Sequence, residues 1–504
     1  MLQNISEIKK MIEKKQYSSP TSFLAIQKEL SIPSHFKRIC KEMKVKREDV
    51  GFAVSDVFSL LIILPLLMMK SVDAIYKSAY RTVAEMQKDT IYRLLNNEKI
   101  PWRRILLSVV KTFLKKTGQA QESDLPRVFI LDDTAIAKRG KKIEGVSIVH
   151  NHSENKYHPG YKAQTLCYFD GMSLLPVDVS LHQEKKLSLK DRKLQYSKDR
   201  QQNTAGAKRK KELSMKKSTS ALKMLKRADK NGIRASYVLA DSWYFSEELV
   251  KTTLALKGDK EECHFAGGVK GNVKFLCDGT ARSLKDHRKY AKKNKHISVS
   301  KKWRNCRYVK LAVTYRNVPM TLFITRLPKH KQWRAFVTTD TSLSFEEFMK
   351  LYSMRWQIEV FFKENKQLLG LGACQSQTFD AQIAATTRSF IIYIILAYYK
   401  RVVHYETIGG LFRDLSESER ERNLAERIWD TILTFLQLGF DLLFWESQDA
   451  ILREQCEMVL KTADTLLRQR DFGCALNNDL STLVCDFQTL VLSDSCKALK
   501  CVSI

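Results

Sequence analysis

The sequence predicts an α/β protein, with a strand-bearing middle set between two helical regions. Three observations carry this. Two short apolar runs, "VFIL" and "YVLA", read as buried strands and deliver Asp132–Asp133 and Asp241 at their ends. Residues 261–342 alternate or run apolar between turn residues, as strands do. Before residue 124 and after about 405, apolar residues recur at helical spacing instead.

The elements follow in order. Residues 1–124 form a helical N-terminal region whose basic clusters, "KRICKEMKVKRED" and "PWRRILLSVVKTFLKK", suit a DNA-binding domain. "RVFILDDTAI" is the first buried strand; "IEGVSIVHNH", "YKAQTLCYFDG" and "SLLPVDVSLH" are further strands, with Asp170-Gly171 as a turn. Residues 181–230 hold 17 Lys/Arg against 5 Asp/Glu. They read as a solvated loop containing Lys208, Arg209, Lys210 and Lys211, then a helix that Gly232 stops. "ASYVLAD" is a strand and "SEELVKTTLAL" a helix; strands then dominate through "WRAFVTTD". "SLSFEEFMKLYSMRW" starts a helix, with Ser342 or Ser344 as N-cap and Glu346 or Glu347 in its first turn. The C-terminal region, 406–504, is helical and less basic, and dimerisation is its expected role.

The bulk numbers narrow the function. A chain of 504 residues with 44% hydrophobic content can bury a large core. Its formal net charge of +31 calls for a polyanionic partner, nucleic acid before an anionic membrane. "MLQNISEIKK" lacks the apolar core of a secretory signal, and the apolar runs at 57–69 and 390–399 are too short to span a bilayer, so they read as buried helices and no membrane partner is expected. The eleven cysteines include no C-x-x-C pair and read as reduced thiols. His150, His152 and His158 lack good metal-ligand spacing, and "GGVKGN" lacks the ending of a nucleotide-binding P-loop.

One stretch, "YSMRWQIEVFFKENK", concentrates the chemistry. On a continuous helix at about 100° per residue, Tyr352, Arg355, Glu359 and Lys366 fall within a stripe about 60° wide. Phe361 and Leu368 fall on the opposite, core-facing side. Carboxylates at the C-terminal ends of buried strands stand where open α/β sheets carry their sites. With Glu359 as a third hard oxygen ligand, Asp132 or Asp133 together with Asp241 suits Mg²⁺ or Mn²⁺ in preference to zinc, and such a centre suits phosphoryl transfer. Arg355 and Lys366 would then meet DNA phosphates.

The spacing Y-(2)-R-(3)-E-(6)-K, met by Tyr352, Arg355, Glu359 and Lys366, resembles the signature of DDE transposases of the insertion-sequence-four group. "LDDT" is similar to the D-x-T that carries their first acid, and "LADSWY" to the strand end that carries the second. The resemblance covers about residues 125–400. It implies a ribonuclease-H-like catalytic core, a mixed five-stranded sheet flanked by helices, in two parts (125–260 and 343–405) around a β-rich insertion (261–342). It implies Asp132, Asp241 and Glu359 as catalytic residues and ligands of two Mg²⁺ ions, with Mn²⁺ able to substitute. The D-x-T frame puts Asp133 at x; a one-residue slip would exchange it with Asp132, and strand alternation lets only one of them face the site. The resemblance further implies cutting at terminal inverted repeats, joining of 3′-hydroxyl ends to target DNA, a homodimer in the synaptic complex, and a bacterial, cytoplasmic, nucleoid-associated location. Tyr352, Arg355 and Lys366 would position double-stranded DNA, Lys208–Lys211 would grip its backbone, and Trp303 or Trp333 would stack on a base.

Overall fold

A computed structural model describes residues 23–45, 51–69, 71–78, 86–117, 125–151, 154–259, 262–294, 296–328 and 330–421. Helices come first: α1 (Phe23–Glu29), α2 (Ile32–Glu42), α3 (Val54–Ile63), α4 (Val72–Tyr76), α5 (Lys88–Leu95) and α6 (Trp102–Lys116). Their apolar stripes close on one another, with Phe36 of α2 stacked on Phe58 of α3 at 4.2 Å and Trp102 of α6 tilted against both rings.

Strands β1 (Val128–Ala137), β2 (Ser147–Asn151), β3 (Lys156–Phe169) and β4 (Leu174–His182) follow. The expected turn joins β3 to β4: Asp170 Oδ1 accepts from the backbone N–H groups of Met172 and Ser173, and Gly171 has φ +99°. Next come α7 (Leu189–Lys193), α8 (Ala205–Glu212), α9 (Lys217–Lys230), β5 (Tyr237–Ala240) and α10 (Glu247–Leu254). Gly232, at φ +77°, stops α9 as expected. The basic stretch at 205–212 is a helix rather than a loop; Thr204 caps it by accepting from Ala207 N–H.

The sheet sets the frame of the site. β1 pairs antiparallel with β3 and parallel with β5, and β5 pairs parallel with β6 (His264–Val269). With β4 on β3, the strand order β4–β3–β1–β5–β6 makes a mixed five-stranded unit with β1 at its centre. The sheet then runs on. β6 pairs antiparallel with β12 (Arg334–Thr338), which continues through β11 (Val318–Arg326) and β10 (Cys306–Tyr315) to β7 (Lys274–Cys277) and β8 (Thr280–Ser283). The strand-rich segment therefore extends the same sheet, and its first strand, β6, belongs to the parallel part. It also contains a helix that strand periodicity did not reveal, α11 (Leu284–Lys293), capped by Ser283 accepting from Asp286 N–H.

Two helices and a long third cover this frame: α12 (Phe345–Ser353), α13 (Trp356–Gln367) and α14 (Phe379–Val402). Ser344 and Glu347 form a reciprocal capping box at the start of α12, each being one of the two residues expected in its place. The stripe-bearing helix is not continuous. Around Met354 and Arg355 the bonds tighten to i→i+3, from Arg355 N–H to Tyr352 and from Gln357 N–H to Met354. The apolar run 390–399 lies within α14, whose 24 residues are long and apolar enough to cross a membrane, contrary to the expectation from the run alone. It is instead 94% buried inside the protein, packed on α6 and β4. Each fully buried Ile, Leu or Phe on it contributes about 1.5–3 kcal/mol.

Candidate active site

Register explains why the two strand-end acids meet. β1 and β5 run parallel up to the pair Leu131↔Ala240, so Asp132 and Asp241 are the next residues of adjacent strands. Successive side chains of a strand point to opposite faces. Asp132 turns toward α13: Arg355 donates from Nη1 to Asp132 Oδ2 at 2.8 Å and from Nη2 to Glu359 Oε1 at 2.5 Å. Two residues on, Thr134 shares that face and accepts from Lys366 Nζ at 2.8 Å. Asp133 turns the other way, to Lys217 Nζ at 2.8 Å and Lys162 Nζ at 3.4 Å. Ser242 N–H donates to Asp241 Oδ1 at 2.5 Å, which orients an exposed carboxylate.

The electrostatics divide the two neighbouring acids. Burial pushes the Asp132 carboxyl up to about 7; Arg355 opposes this, while the Asp133 and Asp241 carboxylates add to it. Asp133 is equally hemmed in, yet Lys217 and Lys162 outweigh its burial and hold it below the usual carboxylate range. A sign follows for stability. The unfolded chain releases the Asp132 proton near pH 4 and the folded protein only near 7, so this group costs stability as pH rises between them. Asp132→Asn should therefore raise the melting temperature at pH 8 in EDTA, by an effect of order 2 kcal/mol, and leave it unchanged at pH 4. Equal shifts at both pH values would contradict that environment.

The donor set, three carboxylates and no sulfur or imidazole, has the chemistry of a hard divalent cation's site. A cation would also relieve the crowding of negative charge around Asp132. In the present arrangement the Arg355 guanidinium bridges Asp132 and Glu359, and among the described residues no three His, Cys, Asp or Glu side chains converge closely enough to hold an ion.

The other sequence candidates fall in different places. Tyr352 closes α12 with its ring against Phe336 and Phe348 and under Arg355; burial pushes its hydroxyl up to about 12. Arg209 is buried on Glu212, and Lys210 pairs with Glu144 at 3.2 Å, so of the four basic residues on α8 Lys208 and Lys211 face solvent. Trp303 is half-buried against the core. Trp333 has the guanidinium groups of Arg288 and Arg326 over its ring, 5.7 and 5.1 Å from the centre. His150 bonds Asn155 and His158 bonds Glu154; His152 lies outside the described residues. Two tryptophans beside the acids were passed over in the sequence. Trp243 is 46% exposed and Trp356 63%, and each lies within two residues of a candidate. Their adjacency to "LAD" and to Arg355 was the available signal.

Residues 59–329 match the family described as DDE superfamily endonuclease. The chain belongs to that family. The matched span is more than half of the 504 residues; it takes in Asp132 and Asp241 and ends before Glu359. Family membership makes this a DNA-directed enzyme of nuclease or transposase type, from a family that in general depends on divalent metal. No curated protein matches the chain.

Proposed function

We propose that this DDE endonuclease family member is a DNA transposase of the insertion-sequence-four kind, cutting at terminal inverted repeats and joining the freed 3′-hydroxyl ends to target DNA. One observation carries the reading. Asp132 and Asp241 stand at the ends of adjacent parallel strands, and Arg355 links Asp132 to Glu359. Asp132, Asp241 and Glu359 would hold the divalent cations, Mg²⁺ or Mn²⁺, with Arg355 giving way to them. Bound there, the cations would supply charge neutralisation and a more acidic water at the phosphodiester. Asp133 is committed to two lysines, which favours Asp132 as the first ligand.

The chain's own residues do the rest. Arg355, once released from the carboxylates, and Lys366, on the Thr134 side, neutralise phosphate oxygens on either side of the cut. Tyr352, packed on Phe336 of β12, offers a hydroxyl donor to the DNA. Trp333, with Arg288 and Arg326 beside it, is the candidate to stack on a base. The ribonuclease-H-like core is supported by the order β4–β3–β1–β5–β6. The helical region before β1 would bind transposon ends; the region 406–504, of which 422–504 lie outside the described residues, would serve a homodimer. A cytoplasmic, nucleoid-associated location goes with this reading.

DNA binding should weaken steeply with salt, with a log–log slope of roughly −4 or steeper, because many phosphates are neutralised. Fluorescence anisotropy between 50 and 200 mM salt checks this; a flat response would remove the basic surface as the DNA track. The family description itself favours a second reading, an endonuclease that cuts and never joins. A pre-cleaved repeat end incubated with a target plasmid separates the two, since joined product appears only for a transposase.

A further inference from the structure

Behind β1, on the face away from Glu359, lies a buried ion cluster that the proposed chemistry does not use. Asp133 is its centre. Its Oδ2 accepts from Lys217 Nζ at 2.8 Å and from the Tyr244 hydroxyl at 3.2 Å, and its Oδ1 faces Lys162 Nζ at 3.4 Å. The Lys162 side chain is 3% exposed, and those of Asp133 and Lys217 are 14% exposed. Glu184 completes the charge balance at 3.5 Å from Lys217 and 4.0 Å from Lys162. Gln164, the register partner of Asp133 on β3, donates to the Lys217 carbonyl at 2.8 Å. The parts come from five places in the chain: β1, β3, the segment after β4, the start of α9, and the turn after β5.

That last turn carries Asp241. Tyr244 N–H donates to the Asp241 carbonyl at 3.0 Å, so the turn is closed on itself, and the Tyr244 hydroxyl ties it to Asp133, with Gln164 beside the same hydroxyl. Lys217 also packs its ammonium 4.3 Å from the Trp243 ring. From below, Gly268 of β6 lets the turn sit close: a Cβ there would lie 3.2 Å from Ser242 N. The turn is therefore pinned by Asp133 on one side and by a bare backbone on the other.

We propose that Asp133 is a positioning residue that locks the Asp241 turn to the strand bearing Asp132, so that one buried carboxylate sets the separation of the two acids. Side by side on β1, Asp132 faces the reaction and Asp133 fixes the geometry in which it works. Partners behind metal ligands commonly matter by about 10- to 100-fold in affinity or activity. The proposal rests on the metal-dependent reading above.

The test uses the full chain and Tyr244→Phe, which deletes the hydroxyl without unbalancing the buried charges. Mn²⁺ affinity is read by isothermal titration, and Tb³⁺ luminescence gives a second readout independent of cleavage. Tyr244→Phe should weaken both by about 5- to 10-fold and slow cleavage to match, with DNA affinity unchanged. Asp133→Asn should weaken metal binding further, and the double variant should be no worse than Asp133→Asn alone, because the two act through one bond. Tyr244→Phe with wild-type Mn²⁺ and Tb³⁺ affinity, or additive effects in the double variant, would overturn the positioning role alone. A wild-type protein that bound neither ion would overturn the metal reading and this proposal together.

Discussion

Asp241→Ala is expected to lose metal-dependent DNA cleavage by roughly 10³-fold or more while its affinity for DNA stays at the wild-type level. The size follows from the position. Asp241 is exposed at a strand end next to Asp132, where its carboxylate helps to hold the Asp132 proton. It makes no inter-residue ion pair among the described residues, so its removal would empty the proposed ligand position without opening a core cavity. The basic surface that attracts DNA is untouched. The rate is read from an end-labelled duplex and the affinity from anisotropy on the same duplex. Full activity in Asp241→Ala would sink the site; lost binding along with lost cleavage would point to a folding defect.

Arg200→Ala should destabilise the protein by about 3–5 kcal/mol, the largest stability effect expected here. Arg200 is 4% exposed and donates to Glu144 at 2.7 and 2.6 Å and to Asp380 at 3.1 and 3.2 Å, two carboxylates that are themselves 2% and 3% exposed. Its guanidinium, the Phe379 backbone N–H and Lys210 hold Glu144 down to about 2 against its burial. Removing the arginine takes the bidentate partner from two desolvated carboxylates and leaves Glu144 with Lys210 and Asp380 with Lys198. The damage would spread, because Lys198 joins the same Asp380 to the Asn96 carbonyl and Glu98 of the N-terminal helical region. Chemical denaturation of Arg200→Ala beside Arg200→Lys checks this. A loss under about 1 kcal/mol would show the network to be solvated.

Much of the candidate site's framework was legible because local patterns record it. A buried strand ending in an acid is written in four or five consecutive residues, as in "VFILDD" and "YVLAD", and the Ser344–Glu347 box spans four. What escaped was set by distant partners. Arg209 and Lys210 look like solvated charge until Glu212 and Glu144 are placed beside them, the latter more than sixty residues away. The tightening at Met354–Arg355 leaves no mark on hydrophobic periodicity, since i→i+3 and i→i+4 bonds bury almost the same face. Strand periodicity shows that residues after 261 pair, but not that β6 pairs with β5 and continues the central sheet. The choice between Asp132 and Asp133 was likewise beyond alternation alone; it took Lys162 from β3 and Lys217 from α9 to show which face each acid occupies.

The most direct measurement takes an inverted repeat from the DNA flanking the coding sequence, builds it into a labelled duplex, and incubates it with the protein in Mg²⁺, Mn²⁺ or EDTA beside Asp241→Ala. The account predicts a cut at the repeat edge in either metal, none in EDTA, and none with Asp241→Ala. A cut that persists in EDTA or in Asp241→Ala, or binding without any cut in both metals, would contradict it.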